Sequence, residues 1–191
     1  MSKVQSLFGK YLHLFNKGNN KHALFRNEED YYQFLDLYKK YLKPVALLYA
    51  YCLLPTHFHF LIKVKNIDDI GGICQSNDMF WYQYNSFLGI YTKLNNKTNN
   101  RSGYLFNGGY SRVVDAEEKS FCQLIVYIHQ NPELYGIIAD HRLWPFSSYF
   151  AYRRKDRRSI IAKDLFFNDD YYRQIMEPRN CSYSSIPDGL I

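Results

Sequence analysis

Residues 53–65 read LLPTHFHFLIKVK. The stretch closes an apolar run, VALLYAYCLL (45–54), and opens an alternating one, FHFLIKVK (58–65), with Pro55-Thr56 between them. Two runs of strand length joined by a proline-containing pair predict a β-hairpin. Side chains two residues apart on a strand point to the same face. His57 and His59 therefore stand side by side, and Phe58 and Phe60 pack on the opposite face. The stretch thus fixes a sheet and places two imidazoles on one of its surfaces.

Working outward from the hairpin, KYLHLFNK (10–17) alternates as an early strand would, and GNNK (18–21) is a turn. Asn27 can cap a helix whose apolar face is Tyr31, Phe34, Leu35, Tyr38 and Leu42, and Pro44 ends it. After the hairpin, IDDIGGICQSNDMFWYQYNSFLGIYTKL (67–94) is a second helical region, interrupted at Gly71-Gly72 and carrying Phe80, Tyr84, Phe87 and Tyr91. NNKTNNRSG (95–103) reads as a polar loop. YLFNGGYSRVV (104–114) reads as a further strand, weakened or bulged at Gly108-Gly109. Asp115 and Glu118 form a capping box that opens a helix through His129. Pro132 predicts its end near Asn131. The order β-α-β-β-α-β is the split βαβ arrangement, an α+β, ferredoxin-like antiparallel sheet with two helices on one face. Periodicity alone does not place the last helix. The chain divides into a domain over 1–151 and a basic tail over 152–191, with RRKDRR (153–158) and a short helix around DDYYRQIM (169–176).

The 191 residues carry a formal charge of +6 and 19 tyrosines, a balance that favours a polyanionic partner and offers rings for stacking on bases. Cys52, Cys74, Cys122 and Cys181 form no CxxC pair, so neither a zinc site nor a disulfide framework is indicated, and a reducing cytoplasm fits. The longest apolar run, ten residues over Val45–Leu54, is too short to span a bilayer. The start of the chain, MSKVQSLFGK, lacks the apolar core of a signal peptide. The expectation is a cytoplasmic protein with no membrane partner.

A neutral imidazole pair suits a divalent metal, especially where further partners fix the tautomers. An isolated HxH is short and common, and by itself reads first as one hydrogen-bonded and one exposed strand histidine. Near the end of the last helix, YIHQNP offers Tyr127 and Asn131 one turn apart and hence on one face. Taken alone, Tyr127 reads first as a packed helix tyrosine and Asn131 as a helix C-terminal residue before proline. By the same spacing His129 points away from Tyr127. His13, His22 and His141 have no evident partner in the sequence.

Taken together, AYCLLPTHFHFLIKV (50–64), YTKLNN (91–96) with RSGYLF (101–106), VYIHQNP (126–132) and WPFSSY (144–149) resemble the Y1 tyrosine transposases of the IS200-like HUH type. The likeness is to their REP-associated branch, whose opening pattern LFNKGNNKHALFRNEEDYYQFL (14–35) also matches. The resemblance runs from about residue 10 to 152. It implies that His57 and His59 are the metal pair (histidine, hydrophobic residue, histidine), holding Mg or Mn. It implies that Tyr127 is the nucleophile and Asn131 a third metal ligand. The nucleophile's helix would lie across the open face of the sheet. The implied activity is cleavage and rejoining of single-stranded or hairpin DNA through a 5′-phosphotyrosine.

The chain departs from the family pattern at NGGYSR after LF, which leaves Arg112 as the nearby cation. It departs again at Glu133-Leu134-Tyr135 after the YIHQNP segment, and at Thr56, where relatives often carry Asn or Glu. Lys17 and Lys21 flank a strand-end turn, Arg101 closes the Asn-rich loop, and Arg153 and Arg154 begin the basic run; these are the candidate DNA-backbone contacts. Two other functions stay open at this point: a catalytically silent nucleic-acid-binding regulator on the same sheet, and a metal-dependent phosphoesterase that uses water. A monomer and a homodimer are equally compatible with the sequence.

Overall fold

The computed structural model describes residues 6–70, 78–107, 110–114, 118–153 and 159–162; for Lys21, 110–114 and 118–120 it describes the backbone alone. Four strands, β1 (Tyr11–Lys17), β2 (Ala46–Leu54), β3 (His57–Val64) and β4 (Tyr110–Val114), form one sheet in the order β2-β3-β1-β4. Every neighbouring pair is antiparallel. The β2–β3 hairpin turns through Pro55 and Thr56, with Leu54 opposite His57, as the two apolar runs predict. One irregularity falls between Leu48 and Ala50, where Tyr49 is the extra residue.

Helix α1 (Glu28–Tyr41) starts because Asn27 accepts a hydrogen bond from the Asp30 amide at 3.1 Å, while the Asp30 carboxylate accepts one from the Arg26 amide at 2.7 Å. Three acidic residues in its first turn complement the helix dipole. Its Phe34 meets Phe58 and Phe60 of β3 at 5.0 and 5.8 Å between ring centroids. Phe87 and Tyr91 of α2 (Asp78–Thr98) reach the same Phe34 at 4.6 and 4.7 Å. Two helices therefore cover the face that carries the even-numbered residues of β3. Helix α3 (Glu118–Leu134) lies on the other face, where Phe121 packs edge-on against Tyr11 at 5.0 Å and Tyr49 at 5.4 Å.

Three elements differ from expectation. The loop read from Asn95 onward is helical through Thr98. Asn95 is buried and donates its amide to the Leu24 carbonyl at 3.2 Å, beside the Tyr91 hydroxyl that donates to the same oxygen at 2.6 Å. A polar side chain here satisfies a buried loop carbonyl, so composition misleads. Helix α3 does not stop at Asn131 but carries Pro132 in its last turn. Proline removes one donor, yet the turn still closes through the Tyr135 amide on the Asn131 carbonyl at 2.9 Å. The strand expected from 104 is β4 alone, beginning at Tyr110, with Phe106 making an isolated bridge to Gly18. The Gly71-Gly72 break, the Gly108-Gly109 bulge, the Asp115 half of the capping box, Arg154–Arg158 and the tail helix lie outside the described residues.

WPFSSY runs along the free edge of β2. The Leu53 amide donates to Phe146, the Ser148 amide to Tyr51, and the Trp144 indole to Leu53, at 2.9 Å each. The rings of Tyr31 and Phe146 stack at 3.8 Å, fastening the segment to α1. Helix α4 (Tyr149–Arg153) follows, and its buried Tyr152 donates its hydroxyl to the Tyr49 carbonyl. Ile161 then bridges Leu48 in parallel. An edge strand that would otherwise present unpaired amides is thereby covered. No helix among the described residues is long and apolar enough to cross a membrane.

Candidate functional site

Strand pairing builds the site. In the β1–β3 register Lys17 faces His57, Phe15 faces His59 and His13 faces Leu61. The odd-numbered residues of both strands thus share the face that α3 covers. His57 and His59 stand with ring centroids 5.3 Å apart and planes at 86°. Tyr127 of α3 presents its ring to His59 at 5.8 Å and 80°. Asn131, one turn later on the same helix, is fully buried and donates its amide to the Tyr127 carbonyl at 2.7 Å. The register and the helix spacing bring His57, His59, Tyr127 and Asn131 into one neighbourhood.

Further residues, not singled out by the sequence for this site, complete it. His13 bonds through Nε2 to Nδ1 of His59 at 3.0 Å, with the rings stacked at 5.2 Å. Thr56 Oγ1 lies 3.1 Å from Nδ1 of His57. Tyr135, beyond the end of α3, lays its ring 4.4 Å from His57 and is 43% exposed. Phe15, half-buried, stacks on His59 at 6.0 Å. The even alternation of KYLHLFNK could have placed His13 and Phe15 on one face. That this face meets the HFH pair depends on a long-range register.

Electrostatics follow from burial. Desolvation pushes His57 down to about 4, with the Lys17 charge adding to the effect, and holds His59 well below the usual imidazole value. Both rings are neutral at pH 7, the state in which an imidazole nitrogen can ligate. Burial, with Tyr135 nearby, pushes the Tyr127 phenol up to about 12, opposed by a hydrogen bond from the Asn131 side chain. His57 Nε2, His59 Nε2 and Asn131 Oδ1 are buried and have no hydrogen-bond partner among the described residues. Asn95 Oδ1, His129 Nδ1 and Gln130 Oε1 share that state, so what distinguishes these three is their place beside Tyr127. Two imidazole nitrogens and one amide oxygen are a chemically suitable donor set for a divalent cation. Among the described residues no group of three or more His, Cys, Asp or Glu side chains forms a metal site, so this set reaches three donors only through the amide.

Of the candidate DNA contacts, Lys17 is exposed and adjoins His57 across the β1–β3 pair. Arg101 follows α2, its amide bonded to the Asn96 carbonyl at 2.9 Å. Arg112 lies opposite His13 in the β1–β4 register, and Arg153 ends α4. The side chains of Lys21 and Arg112, and all of Arg154, lie outside the described residues. His129 turns away from Tyr127, as its spacing predicts. It is buried between Tyr149 and Tyr152 at 5.8 and 5.3 Å and bonds Ser148 Oγ at 2.7 Å, and desolvation lowers it to about 3. His141 pairs with Glu133 at 2.8 Å, tying the end of α3 to the loop that follows.

No family model matches the chain. No curated protein matches it significantly. Among solved structures, that of a REP-associated tyrosine transposase bound to a REP hairpin is similar, with a TM-score of 0.55 and 15% sequence identity. The match covers 88% of this chain and 94% of the other. Likeness at that identity is likeness of fold.

Proposed function

We propose that the chain is a metal-dependent, single-strand DNA transesterase of the transposase type, built on a ferredoxin-like frame. The observation that carries this reading is that three buried donor atoms without a partner among the described residues, on His57, His59 and Asn131, belong to the strand and the helix that meet at the Tyr127 ring. The fold shared with a transposase solved on a REP hairpin supports it and makes hairpin or single-stranded DNA the substrate of choice.

In this reading Tyr127 attacks a DNA phosphodiester. A bond forms between its phenolic oxygen and phosphorus, the bond from phosphorus to the 3′-oxygen breaks, and the phenolic proton ends on that oxygen, releasing a 3′-hydroxyl. One ester replaces another, so the reverse attack rejoins a strand without an external energy source. A phenol raised to about 12 is a weak nucleophile at pH 7. Mg or Mn held by His57, His59 and Asn131 would supply positive charge for the non-bridging phosphate oxygens. The chain itself supplies orientation: α3 holds the phenol against the sheet, and the Asn131 amide bonded to the Tyr127 carbonyl stiffens that turn. Lys17, Phe15 and Tyr135 form the accessible rim from which a strand would enter, one cation for phosphate and two rings for bases.

The test is incubation of the protein with end-labelled single-stranded and hairpin oligonucleotides and Mn, followed by denaturing electrophoresis. A covalent protein–DNA species is expected. Binding without any adduct would favour the silent regulator, and nicking without an adduct the water-using phosphoesterase.

A further inference from the structure

We infer that His13 is a positioning residue that sets the tautomer of His59: its Nε2 accepts the Nδ1 hydrogen of His59, leaving the Nε2 lone pair free on a ring that lies 5.8 Å from that of Tyr127. The purpose of this lock rests on the metal reading above, but the lock itself is a property of the metal-free protein.

The two ring nitrogens of a neutral histidine are a donor and an acceptor, and the bond made by one decides the state of the other. His59 Nδ1 and His13 Nε2 lie 3.0 Å apart, both rings almost entirely buried. If His13 donated, His59 would carry its hydrogen on Nε2, a buried donor with no acceptor among the described residues. If His59 donates, the atom left over is a lone pair, which a cation takes up. His57 repeats the pattern: Nδ1 has Thr56 Oγ1 at 3.1 Å, and Nε2 has no partner among the described residues. Thr56 is exposed, so water can replace its hydroxyl; no such replacement reaches His13. The ring planes are also held. His13 and His59 stack at 17°, and Phe15 stacks on His59 at 21°. Metal-bound histidines commonly give their second N–H to a carboxylate or carbonyl; here another imidazole takes that place, which keeps the buried site free of a further negative charge.

The experiment reads the His59 tautomer by nitrogen NMR on metal-free protein, assigned from its loss in His59→Gln, and Mn affinity by calorimetry. Wild type is expected to carry the hydrogen on Nδ1. His13→Phe keeps a ring against Phe15 but offers no acceptor; it should mix the tautomers and weaken Mn binding by about 10- to 100-fold. His13→Gln, whose amide oxygen can accept, should restore most of both. A hydrogen on Nε2 of wild-type His59, or an unchanged tautomer and Mn affinity in His13→Phe, overturns the inference. Should His13→Phe fail to fold, the wild-type tautomer and the His13→Gln protein still decide it. A wild type with the expected tautomer but no Mn uptake upholds the lock and overturns the metal reading instead.

Discussion

Removing one oxygen from Tyr127 leaves its ring against His59 and His13, at 5.8 and 6.5 Å, and leaves the helix that carries it. Tyr127→Phe is therefore expected to keep its unfolding midpoint, Mn affinity and DNA affinity while losing strand cleavage; cleavage at the wild-type rate would return the chemistry to water. The two histidines proposed to hold the metal should differ in stability though not in ligation. Either His57→Ala or His59→Ala should abolish most Mn uptake by calorimetry. His59→Ala also removes the buried His13–His59 bond and should cost about 1–3 kcal/mol more in urea unfolding than His57→Ala, which lies at the strand end beside exposed Thr56. Equal stabilities of the two variants would contradict the His13–His59 bond. The shared faces of His57 with His59 and of Tyr127 with Asn131 were legible in the sequence because strand and helix spacings are local rules, whereas their roles came only from the resemblance. His13 was not legible, because its partner lies 46 residues away and depends on register.

Elements show where local rules stop. The β2–β3 hairpin and α1 follow directly from their runs and from Asn27. The end of α2 does not, because Asn95 reads as loop chemistry until its buried bond to Leu24 is known. WPFSSY carries a family likeness in sequence, but its physical work is visible only in three dimensions. Ser148 Oγ accepts from the Tyr51 amide at 2.9 Å and meets His129 Nε2 at 2.7 Å, so one hydroxyl joins the edge of β2 to the back of α3. Ser148→Ala leaves both groups without this partner and should destabilise by about 1–3 kcal/mol. Because His129 is two residues from Tyr127, the loosened helix should also slow adduct formation. Urea unfolding and single-turnover assays check the pair of effects; a variant unchanged in both would make Ser148 a bystander.

For the molecule as a whole, three of the buried histidines make stability depend on pH in a defined direction. His57, His59 and His129 are held neutral by burial, with His57 near 4 and His129 near 3 against 6.5 in an unfolded chain. Below 6.5 the unfolded chain binds protons that the folded chain refuses, so stability falls as pH falls, by about 1.4 kcal/mol per unit for each histidine. Metal-free protein unfolded in urea at pH 7, 6 and 5 should lose stability steeply across that series; a flat profile would mean the rings are solvated. The +6 charge acts on the same scale and favours a polyanionic partner, which in the proposed function meets the face that carries Lys17, Phe15 and Tyr135. Sheet order and the two-against-one placement of helices put Tyr127, His57 and His59 on that face, and the central claim is that this arrangement makes Tyr127 a nucleophile toward DNA. The most direct measurement is peptide mass mapping of the denatured protein–DNA adduct formed with Mn. The account predicts a 5′-linked nucleotide on Tyr127 alone; a nucleotide on Tyr135, Tyr149 or any other residue would contradict it.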